Sequence, residues 1–254
     1  MSMTQFRPLP EPVPDVKPEG PLLEARGIVR SYGHTPALRG ATLSVASGEI
    51  LAIMGPSGSG KSTLLHCLAG IFTPDSGEVW YDGRRIDGLN ESTRTRLRRT
   101  DFGFVFQFGQ LVPELTAVDN AALPLLFNRV GRREAYRRAT SWLGRLGLEN
   151  LTARRSGELS GGEAQRVALA RAMVATPKVI FADEPTGSLD SLTGENVMNL
   201  LVDSARQEGT TVVLVTHDPR VAAYADREVI VRDGLVVTYG GAAGLTYGGV
   251  AGER

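Results

Sequence analysis

The residues Gly55-Pro56-Ser57-Gly58-Ser59-Gly60-Lys61-Ser62-Thr63 carry the chemistry on which the rest of the chain depends. They match G-x-x-x-x-G-K-[ST] in full. The apolar run 50–54 precedes them, and the helix-like run 64–69, closed by Gly70, follows. A strand that feeds a glycine loop opening into a helix builds an anion site. Glycines let backbone N–H groups turn inward with no Cβ in the way, and the helix start adds unpaired donors and the positive end of its dipole. Lys61 would reach the β- and γ-phosphates of a nucleoside triphosphate, and the Ser62 hydroxyl would bind Mg²⁺. A plain Gly/Ser turn before an ordinary helix is the bland alternative, and the two flanks argue against it.

Other residues suit the same ligand. Asp183-Glu184 ends the apolar run 179–182, which reads as a strand buried on both faces. Carboxylates at that end of a strand lie where open α/β sheets bind ligands. Asp183 can hold Mg²⁺ through water, and Glu184 can orient or deprotonate the attacking water. His217-Asp218 follows a further buried strand, 210–216, at the same edge. A lone histidine is more often structural, but that position favours a role at the ligand. Ser160-Gly161-Gly162-Glu163 has the capping-box form and starts a helix that continues to Ala175 and stops at Pro177. Two glycines there are costly to a helix and point to close backbone approach, and the open helix start is a second anion site.

The elements that must hold these residues read as α/β. Short strands are expected at 22–28, 41–45 and 50–54, with Tyr32 in the loop between the first two, where it could stack on a base. A strand at 77–81 runs into the Asp82-Gly83 turn, and 103–106 forms another that ends at Gln107. Residues 118–127 and 132–146 are helical, the second with Ala135, Ala139, Trp142, Leu143 and Leu146 on one side and arginines on the other. That stretch reads as an inserted helical subdomain. Strands 227–231 and 235–238 close the domain as a hairpin. Arginine-rich helix faces, including 94–99, read as solvated.

Composition sets the outer limits. The 254 residues suffice for one large α/β domain with a subdomain. Lys+Arg and Asp+Glu both total 28, so no overall field exists to hold nucleic acid. Cys67, the only cysteine, falls on an apolar helix face and excludes an internal disulfide, which suits a reducing cytosol. No apolar run approaches a transmembrane length, and no signal-peptide core is expected at the N-terminus. Residues 1–21 hold six prolines and read as a disordered leader; 239–254 read as a disordered glycine-rich tail.

At Leu159-Ser160-Gly161-Gly162-Glu163 the chain resembles the nucleotide-binding subunits of ABC transporters, from about residue 22 to 238. The resemblance implies the ABC ATPase fold: a RecA-like phosphate-loop core with an antiparallel β subdomain and a helical subdomain at about 108–165. Tyr32 resembles the adenine-stacking aromatic, Gly55 to Thr63 the phosphate loop, and Gln107 the glutamine that senses Mg²⁺ and the attacking water. Ser160, Gly161 and Gly162 resemble the signature that contacts the γ-phosphate held by a second subunit. Asp183 matches the metal aspartate, Glu184 the general base, Asp190 the loop after it, and His217 the histidine on the γ-phosphate. ATP and Mg²⁺ are implied, as is a homodimer or paralogue pair with composite sites. Glu163 stands where many members have glutamine, which alters no phosphate donor.

Phe104-Val105-Phe106-Gln107, residues 115–120 and residues 182–190 resemble one branch, that of lipoprotein release, macrolide export and cell division. Its members work with a separate ABC permease of MacB/FtsX type that bears a large outer domain. The implied protein is a transport-coupled ATPase, peripheral on the inner face of the cytoplasmic membrane. Phe108-Gly109-Gln110-Leu111 is longer than in many members and faces the permease in relatives. A non-transporting mechanical ATPase and a soluble ABC ATPase are the alternatives. Repair-type relatives carry long coiled coils, and no sustained heptad lies between Gly70 and Leu159.

Overall fold

The computed structural model describes residues 20–238 and 246–247. The expected leader and most of the tail lie outside them. In chain order the elements are β1 (Leu23–Tyr32), β2 (Thr35–Val45), β3 (Ile50–Met54), α1 (Lys61–Leu68), β4 (Ser76–Tyr81), β5 (Arg84–Arg85), α2 (Glu91–Thr100), β6 (Phe102–Phe106), α3 (Ala117–Phe127) and α4 (Arg132–Arg145). Two short 3₁₀ turns, Glu149–Leu151 and Ser156–Glu158, lead on to α5 (Gly161–Met173). Then come β7 (Val179–Asp183), α6 (Ser191–Glu208), β8 (Thr211–Val215), α7 (Pro219–Ala222), β9 (Arg227–Arg232), β10 (Leu235–Thr238) and β11 (Thr246–Tyr247).

Two sheets result. The smaller is antiparallel, in the order β2-β1-β4-β5, and the larger runs β11-β10-β9-β3-β8-β7-β6. Within the larger, β9, β3, β8, β7 and β6 are mutually parallel. Their apolar runs are buried on both faces, and period-two alternation sorts the side chains to two cores. Leu51, Ile53, Phe181, Val213 and Val215 enter a core shared with α1 and the antiparallel sheet. Ile50, Ile180, Ala182, Val212 and Leu214 enter the other, with Ala121, Trp142, Leu143, Val167 and Leu201 from α3 to α6. The face expected on 132–146 is thus buried as read, and α5 runs through the expected subdomain boundary at 165.

Three local expectations change. The first hairpin is longer than 22–28 and 41–45, because β1 and β2 stay paired through polar residues as far as Tyr32 opposite Thr35. Tyr32 therefore ends a strand and does not lie in a loop; pairing outweighs local polarity there. The basic run 94–99 is only partly solvated: Arg94 and Arg98 pair with Glu91, and Arg98 donates to the Gly70 carbonyl. Residues 246–247, expected within a disordered tail, pair with β10 through Val237–Tyr247 and Thr238–Thr246.

Candidate active site

Register brings the expected residues to one edge. Ile53 and Asp183 both pair with Val215, and Phe106 pairs with Asp183. The next residues along these parallel strands are Met54, Thr216, Glu184 and Gln107, so the phosphate loop, His217 and both carboxylates leave the sheet side by side.

The loop is shaped by contacts that admit only glycine at two points. A Cβ on Gly55 (φ 142°) would sit 2.1 Å from the Val231 carbonyl oxygen, and one on Gly60 (φ 106°) would sit 2.4 Å from that of Ala37. The antiparallel sheet and β9 therefore grip the loop from outside while α1 begins at Lys61. Among the described residues no side chain caps α1, so its first N–H groups stay open.

Lys61 is only 8% exposed, and its Nζ donates to the Pro56 carbonyl at 2.9 Å. An ammonium has three donors, and among the described residues this is the one acceptor it has. The Ser59 hydroxyl oxygen is buried with no partner among the described residues. Open helix N–H groups, a nearly buried cation and an orphaned hydroxyl together form a cradle for a polyanion.

Asp183 and Ser62 form the adjoining pair, Ser62 Oγ donating to Asp183 Oδ1 at 3.2 Å. Burial pushes the Asp183 carboxyl above the usual range, and the Ser62 hydrogen bond opposes it. A hydroxyl and a carboxylate are the hard oxygen donors that Mg²⁺ takes from a protein when phosphates and water supply the rest. Such an ion would screen charge between the phosphates.

Glu184 turns sharply out of β7 at φ 47°, its N–H donating to the Val215 carbonyl at 2.9 Å. Its carboxylate is held at both oxygens. His217 Nδ1 is 2.7 Å from Oε1, and the Thr216 hydroxyl donates to Oε2 at 3.3 Å. Gln107 lies against the loop that follows, since a Cβ on Gly187 would come within 2.9 Å of its Nε2 and Ser188 Oγ donates to its carbonyl at 2.8 Å.

The remaining predicted residues stand elsewhere. Ser160 caps α5, its Oγ accepting from Glu163 N–H while the Glu163 carboxylate accepts from Ser160 N–H. That leaves the N–H groups of Gly161 and Gly162 without an acceptor among the described residues. Close approach at Gly162 is to Thr193 of α6, whose Cγ2 would lie 2.3 Å from an added Cβ. Asp190 caps α6 through Thr193 N–H at 3.0 Å. Tyr32 is 47% exposed, braced edge-on by Phe72 at 6.2 Å.

Two residues near the site go unremarked by the sequence reading. Thr216 shows as no more than the polar end of a β-branched run. His66, one turn along α1 from Ser62, is kept below its usual pKa by burial, which outweighs the pull of Asp183.

Known proteins share this sequence pattern and fold. The family model described as ABC transporter matches residues 38–187. The lipoprotein-releasing system ATP-binding protein LolD of Psychrobacter arcticus is 47% identical over 218 residues, covering 84% of this chain and 96% of that protein. LolD of Bordetella pertussis is 47% identical over 219 residues, covering 85% and 95%. Among solved structures, the dimeric post-hydrolysis state of an ATP-binding cassette bound to ADP and phosphate has a TM-score of 0.77 at 40% identity, covering 84% of this chain and 96% of that one. With its phosphate loop, signature and paired carboxylates on this frame, the chain belongs to the ABC transporter family, as one of its ATP-binding proteins.

Proposed function

We propose that this chain is the ATP-hydrolysing subunit of a lipoprotein-releasing type of ABC transporter, driving a separate membrane permease of MacB/FtsX type. One observation carries the reading: four adjacent parallel strands deliver Lys61, Ser62, Gln107, Asp183, Glu184 and His217 to a single edge. In this reading Gly55 to Thr63 cradle the ATP phosphates and Tyr32 stacks on the base. Ser62 and Asp183, with Gln107, hold Mg²⁺. Glu184 takes a proton from the attacking water, and His217 holds the Glu184 carboxylate and faces the γ-phosphate. Ser160, Gly161, Gly162 and Asp190 complete the site of a second copy.

The open N–H groups of α5 support that division, since an anion from another subunit would satisfy them. Among the described residues no helix is long and apolar enough to cross a membrane, so attachment to the inner face of the cytoplasmic membrane would pass through the permease. A groove of about 670 Å³, lined by Arg98, Arg99, Phe104, Phe106, Phe127 and Arg171, offers aromatic and basic side chains to a permease segment. The helical stretch at about 108–165 would then carry that contact to Gln107.

The test is co-purification. Tagged Glu184→Gln protein is expressed in the native host with ATP and Mg²⁺ added, and gently solubilised membranes are searched for partners. A few-helix permease with a large outer domain is expected. Recovery of soluble partners alone would overturn the transporter reading.

A further inference from the structure

We propose that Thr216 is a positioning residue for ATP hydrolysis, fixing the Glu184 carboxylate that His217 holds from its other side. The inference rests on the reading of Glu184 as the general base. Thr216 is 1% exposed, and both its backbone N–H and its hydroxyl are hydrogen-bonded. Its backbone N–H donates to the Ile53 carbonyl at 3.2 Å, which ties it to β3, the strand that feeds the phosphate loop. Its hydroxyl accepts from Asp218 N–H at 3.1 Å, and this turns the hydroxyl proton toward Glu184 Oε2, 3.3 Å away.

The need for such a hold follows from the backbone. At φ 47° Glu184 occupies a conformation that few L-residues adopt, directly before Pro185. A bond to Oε1 from His217 alone, whose side chain is 68% exposed, would hold the last torsion of the carboxylate only loosely, since that torsion is broad for glutamate. The second bond, to Oε2, removes that freedom and sets the plane of the lone pairs. Because Thr216 is anchored on β3, the plane is set relative to the phosphate loop. A base held in register with the phosphates gains rate by orientation, not by added affinity.

The experiment compares the full-length chain with Thr216→Val, Thr216→Ser and Glu184→Gln, measuring kcat and KM for ATP. Valine keeps the branched shape and removes the hydroxyl; serine keeps the hydroxyl and removes the methyl. Thr216→Val is expected to lower kcat roughly ten- to a hundredfold, the worth of one hydrogen bond to a charged group, with KM within about twofold. Thr216→Ser is expected to restore most of the rate. Wild-type kcat in Thr216→Val, or equal loss in the valine and serine variants, would overturn the proposal. Should Thr216→Val fail to fold, Thr216→Ala against Thr216→Ser decides by the same criterion. Glu184→Gln separates the two levels: if it is inactive while Thr216→Val is not, the positioning role alone fails. If Glu184→Gln hydrolyses ATP normally, the base assignment fails and the positioning role falls with it.

Discussion

The imidazole of His217 meets the carboxylate of Glu184 with Nδ1 2.7 Å from Oε1, although 33 residues separate them in the chain. Adjacent parallel strands make the contact possible, because β7 and β8 pair with Asp183 opposite Val215. Toward an ionised carboxylate Nδ1 acts as the donor. Replacing Glu184 by glutamine keeps the shape and removes the carboxylate that we propose takes the proton from the attacking water. We expect Glu184→Gln to bind ATP as the parent does, to lose turnover and to accumulate as an ATP-bound dimer. Size-exclusion chromatography with ATP and a phosphate-release assay check this together. Undiminished phosphate release would remove Glu184 from its role.

Gly162 gives a prediction about packing. An added Cβ would lie 2.3 Å from Thr193 Cγ2, inside any tolerable contact. Gly162→Ala must therefore turn the Thr193 side chain from its place or push α5 away from α6. A cost of about 1–3 kcal/mol in stability is expected, read by denaturant unfolding. Thr193→Ser removes the offending methyl and keeps the N–H that Asp190 caps. The double variant Gly162→Ala/Thr193→Ser should regain most of the loss. If it does not, the clash with α6 is not the cause.

How much of this was legible depends on where each signal resides. The phosphate loop and the 179–183 strand carry theirs locally, in glycine spacing and unbroken apolar runs, so their elements and edge could be read from the chain. Thr216 carries none, because its role lies in a bond to a residue 32 positions away. The extension of β1 to Tyr32 depends on its pairing with β2, a long-range contact that overrides the polar residues in between. Helix α6 went unread for another reason. Val197, Met198, Leu201 and Ala205 are buried on one face of it, but polar residues and Gly194 interrupt that face in the sequence. The two glycines of the signature imply close approach; within the chain the neighbours are Leu189 for Gly161 and Thr193 for Gly162, which spacing alone does not name.

Cys67 offers a probe that leaves the active site alone. Burial on α1 pushes its thiol up to about 12 from an ordinary 9.0. Only the thiolate reacts, so at pH 8 the native protein should resist disulfide reagents and label at once in denaturant. The native state holds the proton more tightly than the unfolded state. Its contribution to stability is therefore intact below about pH 9 and falls away as pH rises toward 12. Stoichiometric labelling of native protein at pH 8 would show that the thiol is not buried.

Mixed subunits test the shared site. Lys61→Ala should weaken nucleotide binding roughly ten- to a hundredfold, since one charge-assisted contact is worth about 1.5–3 kcal/mol; a fluorescent-nucleotide titration reads the change. Ser160→Arg fails differently, by placing bulk and charge at the start of α5 while the loop of the same chain stays intact. Each variant should be inactive alone, because a homodimer of either has two damaged sites. In the heterodimer, one site pairs the intact loop of the Ser160→Arg chain with the intact signature of the Lys61→Ala chain. The other site collects both lesions. Mixing the two should therefore restore occlusion of one ATP per dimer, a gain that neither homodimer can supply. If mixed samples occlude none although native mass spectrometry shows the heterodimer, residues 160–162 do not reach the partner's ATP, and the composite-site reading fails.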